Sequence, residues 1–317
     1  MPRLLPAIAD RADFARARDL PTGDWLPALR ALAARHGLPD EPAERFRSGC
    51  HPVFGVGRRF VVKLVPLLFS HVVQREAESL RFLAGQTTLP VAQFIAEDTL
   101  EDWRYLVSSR LPGEQIDRVW PRLARPEQRK LAADFGGLLR TLHEIPVGRL
   151  RPGGIAWPQF VDQTVASWPA RRDLARLPKP LREDGPRFLA ATSALLANSR
   201  LALLHGDLAP ENALVEPWAA GWRFSGLLDF GNAMVGDPLF DLTAPTVLLA
   251  PGQAAIVDRI LAGYDGPEAP RVQGLRLRLM ALTLIHPMAD LPECLALVQG
   301  AADCPAWTAV AERFWPG

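Results

Sequence analysis

Three short apolar runs interrupt the helical second half of this sequence, and polar loops lie beside them. The runs are residues 201–204, 213–215 and 224–228. The loop between the first two runs reads HGDLAPEN (residues 205–212), so Asp207 and Asn212 share it, five positions apart. The third run leads into Asp229, seventeen residues after Asn212. This pattern predicts a helical region interrupted by short apolar runs, with the chemistry at that interruption, where two carboxylates and an amide lie in the polar segments.

These loop residues are of the types that phosphoryl transfer requires. The reaction uses a carboxylate to orient and deprotonate the attacking hydroxyl group, oxygen ligands for Mg²⁺, and a cation on the phosphates. Mg²⁺ prefers a few protein oxygens and keeps its other positions for water and phosphate, so one carboxylate and one amide suffice. In isolation His-Gly-Asp is also an ordinary polar turn. The spacing of Asp207 from Asn212 and Asp229 favours the catalytic interpretation.

Lys63 can supply the cation. Only three of the 36 basic residues are lysines, and Lys63 interrupts the apolar run VVKLV. A charge in such a strand is costly to bury without a partner. Glu76 lies in the apolar stripe of the next predicted helix, which runs from Ser70 to about Gly85, and it is the natural partner. The alternatives are a lysine on a half-exposed strand face and a solvated ion pair.

The pattern of the sequence changes after Pro112-Gly113. The elements predicted before this point are a helix at 24–37, two strands within 45–66, the helix that carries Glu76, and strands at 91–96 and 104–109. After it, long helical patterns prevail, as in residues 127–145. We therefore predict two lobes, residues 1–110 and 111–317. A chain of 317 residues suits two lobes because single hydrophobic cores stop growing near this length.

The order of these motifs resembles the aminoglycoside phosphotransferase family. HGDLAPEN matches the family's His-Gly-Asp-Leu-x-x-x-Asn, and an Asp-x-Gly and a Gly-Asp-Pro-x-x-Asp-Leu (residues 236–242) follow it. The resemblance extends from about residue 44 to about residue 245. It implies an α+β, bilobal protein-kinase-like fold with a small antiparallel-sheet N-lobe, a mostly helical C-lobe and nucleotide bound between them. In this setting we expect Asp241 to accept main-chain N–H groups and His205 to brace its loop.

The resemblance also implies a role for each candidate residue. Asp207 would be the catalytic base, and Asn212 and Asp229 would be the ligands of Mg²⁺. Lys63 and Glu76 would form the ion pair that positions the phosphates of ATP or GTP.

Two further segments resemble nucleotide-binding parts of the family. Residues 107–113 resemble the hinge that binds the base through backbone hydrogen bonds, which selects Ser109 and Leu111. Gly55 and Gly57 lie in the turn that covers the phosphates, although they fit no strict glycine motif. The literal Asp-Phe-Gly is closer to protein kinases, but His-Gly-Asp replaces their His-Arg-Asp and no Ala-Pro-Glu follows. A small-molecule acceptor is therefore favoured.

Composition argues against other classes of function. The 36 basic and 35 acidic residues give a formal net charge of +1, which is too balanced for a surface that binds nucleic acid. No apolar run reaches the roughly 18 residues of a membrane-spanning helix. Asp10 and Asp13 lie where a signal peptide would be apolar. We expect no nucleic-acid partner, no membrane partner and a cytoplasmic location.

The sequence thus predicts a kinase that moves the γ-phosphate of ATP or GTP to a hydroxyl group of a small molecule. A cationic aminoglycoside would call for an acidic acceptor pocket. From Pro251 onward there are seven acidic residues and five arginines, a mild excess that keeps the antibiotic as the leading acceptor. A metabolite kinase for a sugar, an amino alcohol or an amino acid stays open. A nucleotide-binding pseudokinase is a further alternative, and the presence of Asp207, Asn212, Asp229 and Lys63 together argues against it.

Overall fold

The computed structural model describes residues 3–47, 49–148, 150, 152–197, 200–219, 221–266 and 274–316. The chain divides into two compact units. The first comprises residues 1–86, 90–112 and 226–232, and the second comprises 87–89, 113–225 and 233–317. The lobe boundary that the sequence suggests after residue 110 stays a prediction.

The first unit consists of two N-terminal helices, five strands and a third helix. Their bounds are α1 (Arg11–Arg18), α2 (Thr22–Arg35), β1 (Ala43–Phe46), β2 (Val53–Val56), β3 (Phe60–Pro66), α3 (Ser70–Leu83), β4 (Phe94–Leu100) and β5 (Trp103–Ser109). The strands form one antiparallel sheet in the order β1-β2-β3-β5-β4. The prediction of an antiparallel N-terminal sheet is confirmed. Residues 43–66 hold three strands where the sequence predicted two, because β1 is short and mostly half-exposed.

Side-chain alternation along β3 separates two environments. Val62 and Leu64 are buried in a core that also contains Trp25 of α2 and Phe54 of β2. Because successive side chains of a strand point to opposite faces, Lys63 faces away from that core. The strand therefore gives its apolar residues to the N-terminal helices and its lysine to the opposite face of the sheet.

The second unit is mostly helical, with short strands between the helices. Its elements are β6 (Glu114–Gln115), α4 (Ile116–Val119), α5 (Arg125–His143), α6 (Trp157–Ala166), α7 (Lys179–Ala197), β7 (Ala202–Leu204), β8 (Ala213–Trp218), β9 (Gly221–Leu227, whose last two residues belong to the first unit), β10 (Met234–Gly236), α8 (Leu239–Leu248), α9 (Ala254–Asp265), α10 (Leu275–Ile285), α11 (Leu291–Ala296) and α12 (Trp307–Phe314). The strands form two small sheets, β6-β8-β9 and the antiparallel pair β7-β10. The three apolar runs of the sequence overlap β7, β8 and β9.

Helices α5 and α9 pack closely in this unit. A Cβ atom added to Gly136 of α5 would lie 2.0 Å from the carbonyl oxygen of Ile260 in α9, so only glycine fits there. The backbones can approach each other because neither carries a side chain at the contact, and Gly263 supplies the same space on α9. In the part of the chain that the structure describes, no helix combines the length and the apolar character needed to span a membrane.

Candidate active site

The Lys63 side chain is the centre of a buried charge cluster in the first unit. Its Nζ lies 2.8 Å from Oε2 of Glu76 on α3 and 2.7 Å from Oδ1 of Asp229. Lys63 is 6% exposed and Glu76 is 8% exposed, which rules out the half-exposed lysine and the solvated ion pair. The predicted pairing of Lys63 with Glu76 is therefore present in the fold. The structure also brings Asp229 to the same ammonium group.

The charges of this cluster are unequal. Burial alone would lower the pKa of Lys63, but the carboxylates of Asp229 and Glu76 outweigh it and raise that pKa. Burial raises the pKa of Glu76 against the attraction of Lys63, and the charge of Asp229 raises it further. Both directions follow when two carboxylates share one ammonium group, because the cation is stabilised twice while the anions repel each other. One positive and two negative charges leave a formal charge of −1.

Asp229 adopts a backbone conformation that few side chains tolerate. Its φ is +64°, in the left-handed region that asparagine and aspartate enter more readily than most residues. Its own Oδ1 accepts a hydrogen bond from the Gly231 N–H at 3.2 Å. A Cβ atom on Gly231 would lie 2.6 Å from a methyl group of Val72 on α3. The tight Asp-Phe-Gly turn thus fixes Asp229 against α3 and points its carboxylate at Lys63.

The loop that carries Asp207 is anchored in the second unit by Asp241 of α8. The two oxygens of Asp241 accept the backbone N–H groups of His205 and Gly206, at 2.7 and 2.9 Å. His143 Nε2 lies 3.1 Å from Oδ2 of the same carboxylate. Burial would raise the pKa of Asp241, but the hydrogen bond of His143 and the nearby charges and amides lower it overall. The expectation that Asp241 accepts main-chain N–H groups is confirmed.

Within the loop, His205 and Asn212 hold the chain around Asp207. The backbone N–H of Asp207 donates to Nδ1 of the buried His205 at 3.4 Å. The Asn212 Nδ2 donates to the carbonyl oxygen of Asp207 at 2.8 Å. Because the amide nitrogen is used in this way, the Asn212 side-chain oxygen points away from that contact. His205 braces the loop, as the sequence predicted.

Each predicted cation ligand, taken in its own unit, has the chemistry that a hard divalent cation prefers. Asp229 offers a carboxylate whose side chain is 39% exposed, Asn212 offers an amide oxygen, and the cluster around Lys63 carries excess negative charge. Among the described residues no group of three or more His, Cys, Asp and Glu side chains is arranged to hold a metal. The joint role of Asn212 and Asp229 as ligands of Mg²⁺, an ion that takes its other oxygens from phosphate and water, stays a prediction.

The segments predicted to hold the nucleotide base and phosphates have defined contacts of their own. The Ser109 backbone N–H donates to the carbonyl oxygen of Gln93, the residue before β4, at 2.9 Å, so this N–H links β5 to the segment that leads into β4. A Cβ atom on Gly55 would lie 2.9 Å from a guanidinium nitrogen of Arg110. Gly57 has a φ of +58°, and its carbonyl oxygen accepts from Arg110 at 3.1 Å. Packing explains both glycines, and nucleotide contacts of Gly55, Gly57, Ser109 and Leu111 stay predictions.

Two partners of the Gly-Asp-Pro-x-x-Asp-Leu segment were not anticipated. His143, at the end of α5, contacts Asp241 and also places Nδ1 2.9 Å from the hydroxyl of Tyr264. Arg278 of α10 donates from Nη2 to Oδ2 of the fully buried Asp237 at 2.7 Å. The residues in these contacts are separated by between 41 and 121 positions in the sequence, so no local sequence pattern predicts them.

Comparison with known protein sequences gives one family. The model described as the phosphotransferase enzyme family matches residues 42–275. Viomycin phosphotransferase of Streptomyces vinaceus is 32% identical over 218 residues, which span 63% of this chain and 71% of that protein. An aminoglycoside 3′-phosphotransferase of Streptomyces ribosidificus is 28% identical over 177 residues, which span 50% of this chain and 58% of that enzyme.

Comparison with solved structures gives the fold. The GDP complex of wild-type aminoglycoside 2′-phosphotransferase-IIIa superposes with a TM-score of 0.68 at 14% identity, over 91% of this chain and 96% of that one. The streptomycin–ATP ternary complex of APH(2″)-IIa superposes with a TM-score of 0.61 at 19% identity, over 84% and 88% of the two chains. The chain has the kinase-like aminoglycoside phosphotransferase fold, and the fold class predicted from the sequence is confirmed.

Proposed function

Because the chain belongs to the phosphotransferase enzyme family, we propose that it transfers the γ-phosphoryl group of ATP or GTP to a hydroxyl group of a small molecule. The observation that carries this proposal is the buried ammonium of Lys63 held between Glu76 and Asp229. A lysine fixed in this way is suited to bind phosphate oxygens, because its position and charge are both set by its partners. The structural neighbours include complexes with GDP and with ATP, which supports a nucleotide donor.

In the proposed reaction Asp207 is the base. The acceptor hydroxyl oxygen forms a bond to the γ-phosphorus while the bond from that phosphorus to the β–γ bridging oxygen breaks. The hydroxyl proton passes to the Asp207 carboxylate, and the nucleoside diphosphate leaves. The backbone hydrogen bonds from His205 and Gly206 to Asp241 hold this loop, so the carboxylate is oriented without a large rearrangement.

Lys63 and the cation ligands neutralise the phosphates. We assign Asn212 and Asp229 to hold Mg²⁺, because they offer the hard oxygens that it prefers. When bound, this ion would compensate the charge of the β- and γ-phosphates. Glu76 keeps the Lys63 ammonium in place and charged. Electrostatic stabilisation by groups fixed beforehand is the largest contribution that a protein makes to this kind of reaction.

We propose a hydroxyl-bearing, cationic antibiotic as the acceptor. The relatives are named as phosphotransferases of viomycin and of the 3′ position of aminoglycosides, and neighbouring structures are complexes with streptomycin, gentamicin and kanamycin. The acidic excess after Pro251 is consistent with a cationic acceptor. Of the residues in that count, Glu268 and Arg271 lie outside the described residues, and Asp290 is paired with Arg176.

The test is a product screen. Purified protein with Mg²⁺ and ATP or GTP is incubated with viomycin, a set of aminoglycosides, and sugars, amino alcohols and amino acids, and each acceptor is analysed by mass spectrometry. We expect an antibiotic to gain one phosphoryl group with wild-type protein and to remain unmodified with Asp207→Asn. Phosphorylation of a metabolite alone would replace the antibiotic as acceptor. Nucleotide binding without transfer to any acceptor would favour the pseudokinase.

A further inference from the structure

His51 is a polar side chain placed between aromatic rings in the first unit. It lies in the connection between β1 and β2, and its ring centroid is 5.7 Å from that of Phe14 and 6.2 Å from that of Phe69. The two phenylalanine rings also contact each other, at 5.5 Å. No residue that the structure describes makes a hydrogen bond to the imidazole nitrogens. A half-buried imidazole that makes no hydrogen bond to any described residue is a group for which a ligand can supply the partner.

The charges of the Lys63 cluster act on His51. Burial lowers the pKa of His51 to about 4, the ammonium of Lys63 acts in the same direction, and the Asp229 carboxylate opposes them. His51 therefore lies within electrostatic reach of the same cluster that is assigned to the phosphates. Val53, two residues further on, is the cross-strand partner of Lys63. An imidazole always carries at least one N–H group, which can donate to a phosphate oxygen whether or not the ring is protonated.

We propose that His51 is a further nucleotide-binding residue, whose ring N–H donates to a phosphate oxygen of the bound nucleotide. Phe14 and Phe69 hold the imidazole for this contact by packing around it. This inference rests on the proposed function, because it takes the phosphates to lie at Lys63. Phe14 belongs to α1, which precedes the residues matched by the family at 42–275. The N-terminal helix therefore contributes to the packing of His51.

Two substitutions separate hydrogen bonding from packing. His51→Phe keeps a ring between Phe14 and Phe69 but has no N–H donor. His51→Gln keeps an N–H donor but loses the ring. His71→Ala is the matched control, since His71 is an exposed histidine on α3 of the same unit.

The measurement is isothermal titration calorimetry of ADP and of adenosine, with MgCl₂ present, on the intact protein. A hydrogen bond to a charged group accounts for about a tenfold difference in affinity or more. We expect His51→Phe to weaken ADP binding about tenfold while adenosine binds as before, and His51→Gln to retain most of the ADP affinity. His71→Ala should match wild type. Thermal unfolding of each variant identifies any loss of fold.

Wild-type affinity for ADP in His51→Phe overturns the proposed role of His51. If Lys63→Met loses ADP affinity in the same series, the phosphate site itself stands and only the His51 contact is wrong. If wild-type protein binds ADP no more tightly than adenosine, the nucleotide site is wrong and both proposals fall. Equal losses for ADP and adenosine in His51→Phe would also overturn the phosphate contact, because the effect would not depend on phosphate.

Discussion

Replacing Asp241 by asparagine tests how the catalytic loop is held. Asp241 is 2% exposed, and its two oxygens accept the N–H groups of His205 and Gly206. Asparagine keeps the shape of the side chain but turns one acceptor into an NH₂ group. In either orientation that group faces the backbone N–H of His205 or of Gly206, and an N–H cannot accept a hydrogen bond. The variant therefore buries one or two donors without acceptors.

The magnitude follows from these contacts. A hydrogen bond to a charged group contributes about 1.5–3 kcal/mol, and removing one member of a buried charged network costs about 3–5 kcal/mol. We expect Asp241→Asn to lower the free energy of unfolding by about 3–4 kcal/mol. Proteins of this kind are stable by about 5–15 kcal/mol, so the variant should still fold at low temperature. Its turnover should fall as well, because Asp207 lies one residue beyond Gly206.

The assay is urea denaturation followed by circular dichroism, with turnover measured on the same samples. Asp134→Asn is the control, because Asp134 is an exposed residue paired with Lys130 on the surface of α5 and its loss should cost less than about 1 kcal/mol. A decrease below about 1 kcal/mol for Asp241→Asn, with normal turnover, would refute the assigned anchoring. Equal losses in the two variants would have the same meaning.

Three further predictions concern separate parts of the fold. Lys63→Met should lower kcat/KM about 100-fold or more in steady-state assays, because a fixed cation is lost from the phosphates; a change below about tenfold contradicts the role of Lys63. Burial lowers the pKa of His286 to about 4 in the folded protein. The unfolded protein therefore takes up the proton at higher pH than the folded protein, and the free energy of unfolding falls as pH drops from about 6.5 to about 4. The folded protein keeps the ring unprotonated, and the Met288 N–H donates to its Nδ1. His286→Phe should therefore remove about 2–3 kcal/mol of this pH-dependent loss, measured by urea titrations at several pH values. An unchanged dependence of stability on pH would contradict this. Gly136→Ala should lower the free energy of unfolding by about 2 kcal/mol or more, because the added methyl group clashes with the backbone of α9. At Gly137 the nearest atom is 3.8 Å from an added Cβ atom, so Gly137→Ala should raise the free energy of unfolding by about 0.5–1 kcal/mol in the same urea titration. The reverse order of stability would contradict the contact between the helices.

Much of the first unit's charge cluster could be predicted because its signals are local. A lysine in a Val-rich strand and a glutamate in an apolar helical stripe each break a simple pattern. Burying either charge without a partner is costly, so the sequence predicts that the lysine and the glutamate pair with each other. The structure joins Lys63 to Glu76 as expected, and the turn at Asp229 completes the cluster.

Other features could not be predicted, because they depend on tertiary contacts. Helix α1 is short and polar, with Ala17 as its one buried residue among those described, so its sequence shows no clear apolar stripe. The contacts of its Phe14 with His51 and Phe69 depend on the fold, which brings the three rings together. The sequence predicts that Gly55 and Gly57 belong to the phosphate loop. In the structure, a side chain at Gly55 would collide with Arg110 and one at Gly57 with Glu41, which by itself explains both glycines.

The most direct test of the account compares wild-type protein and Asp207→Asn in a single-turnover reaction with γ-labelled nucleotide, Mg²⁺ and the acceptor found by the product screen. Both proteins should bind the nucleotide with similar affinity. Transfer of the label to the acceptor should be at least about 100-fold slower in the variant, because the base that takes the hydroxyl proton is missing. Transfer at the wild-type rate would contradict the assignment of Asp207 and the mechanism built on it.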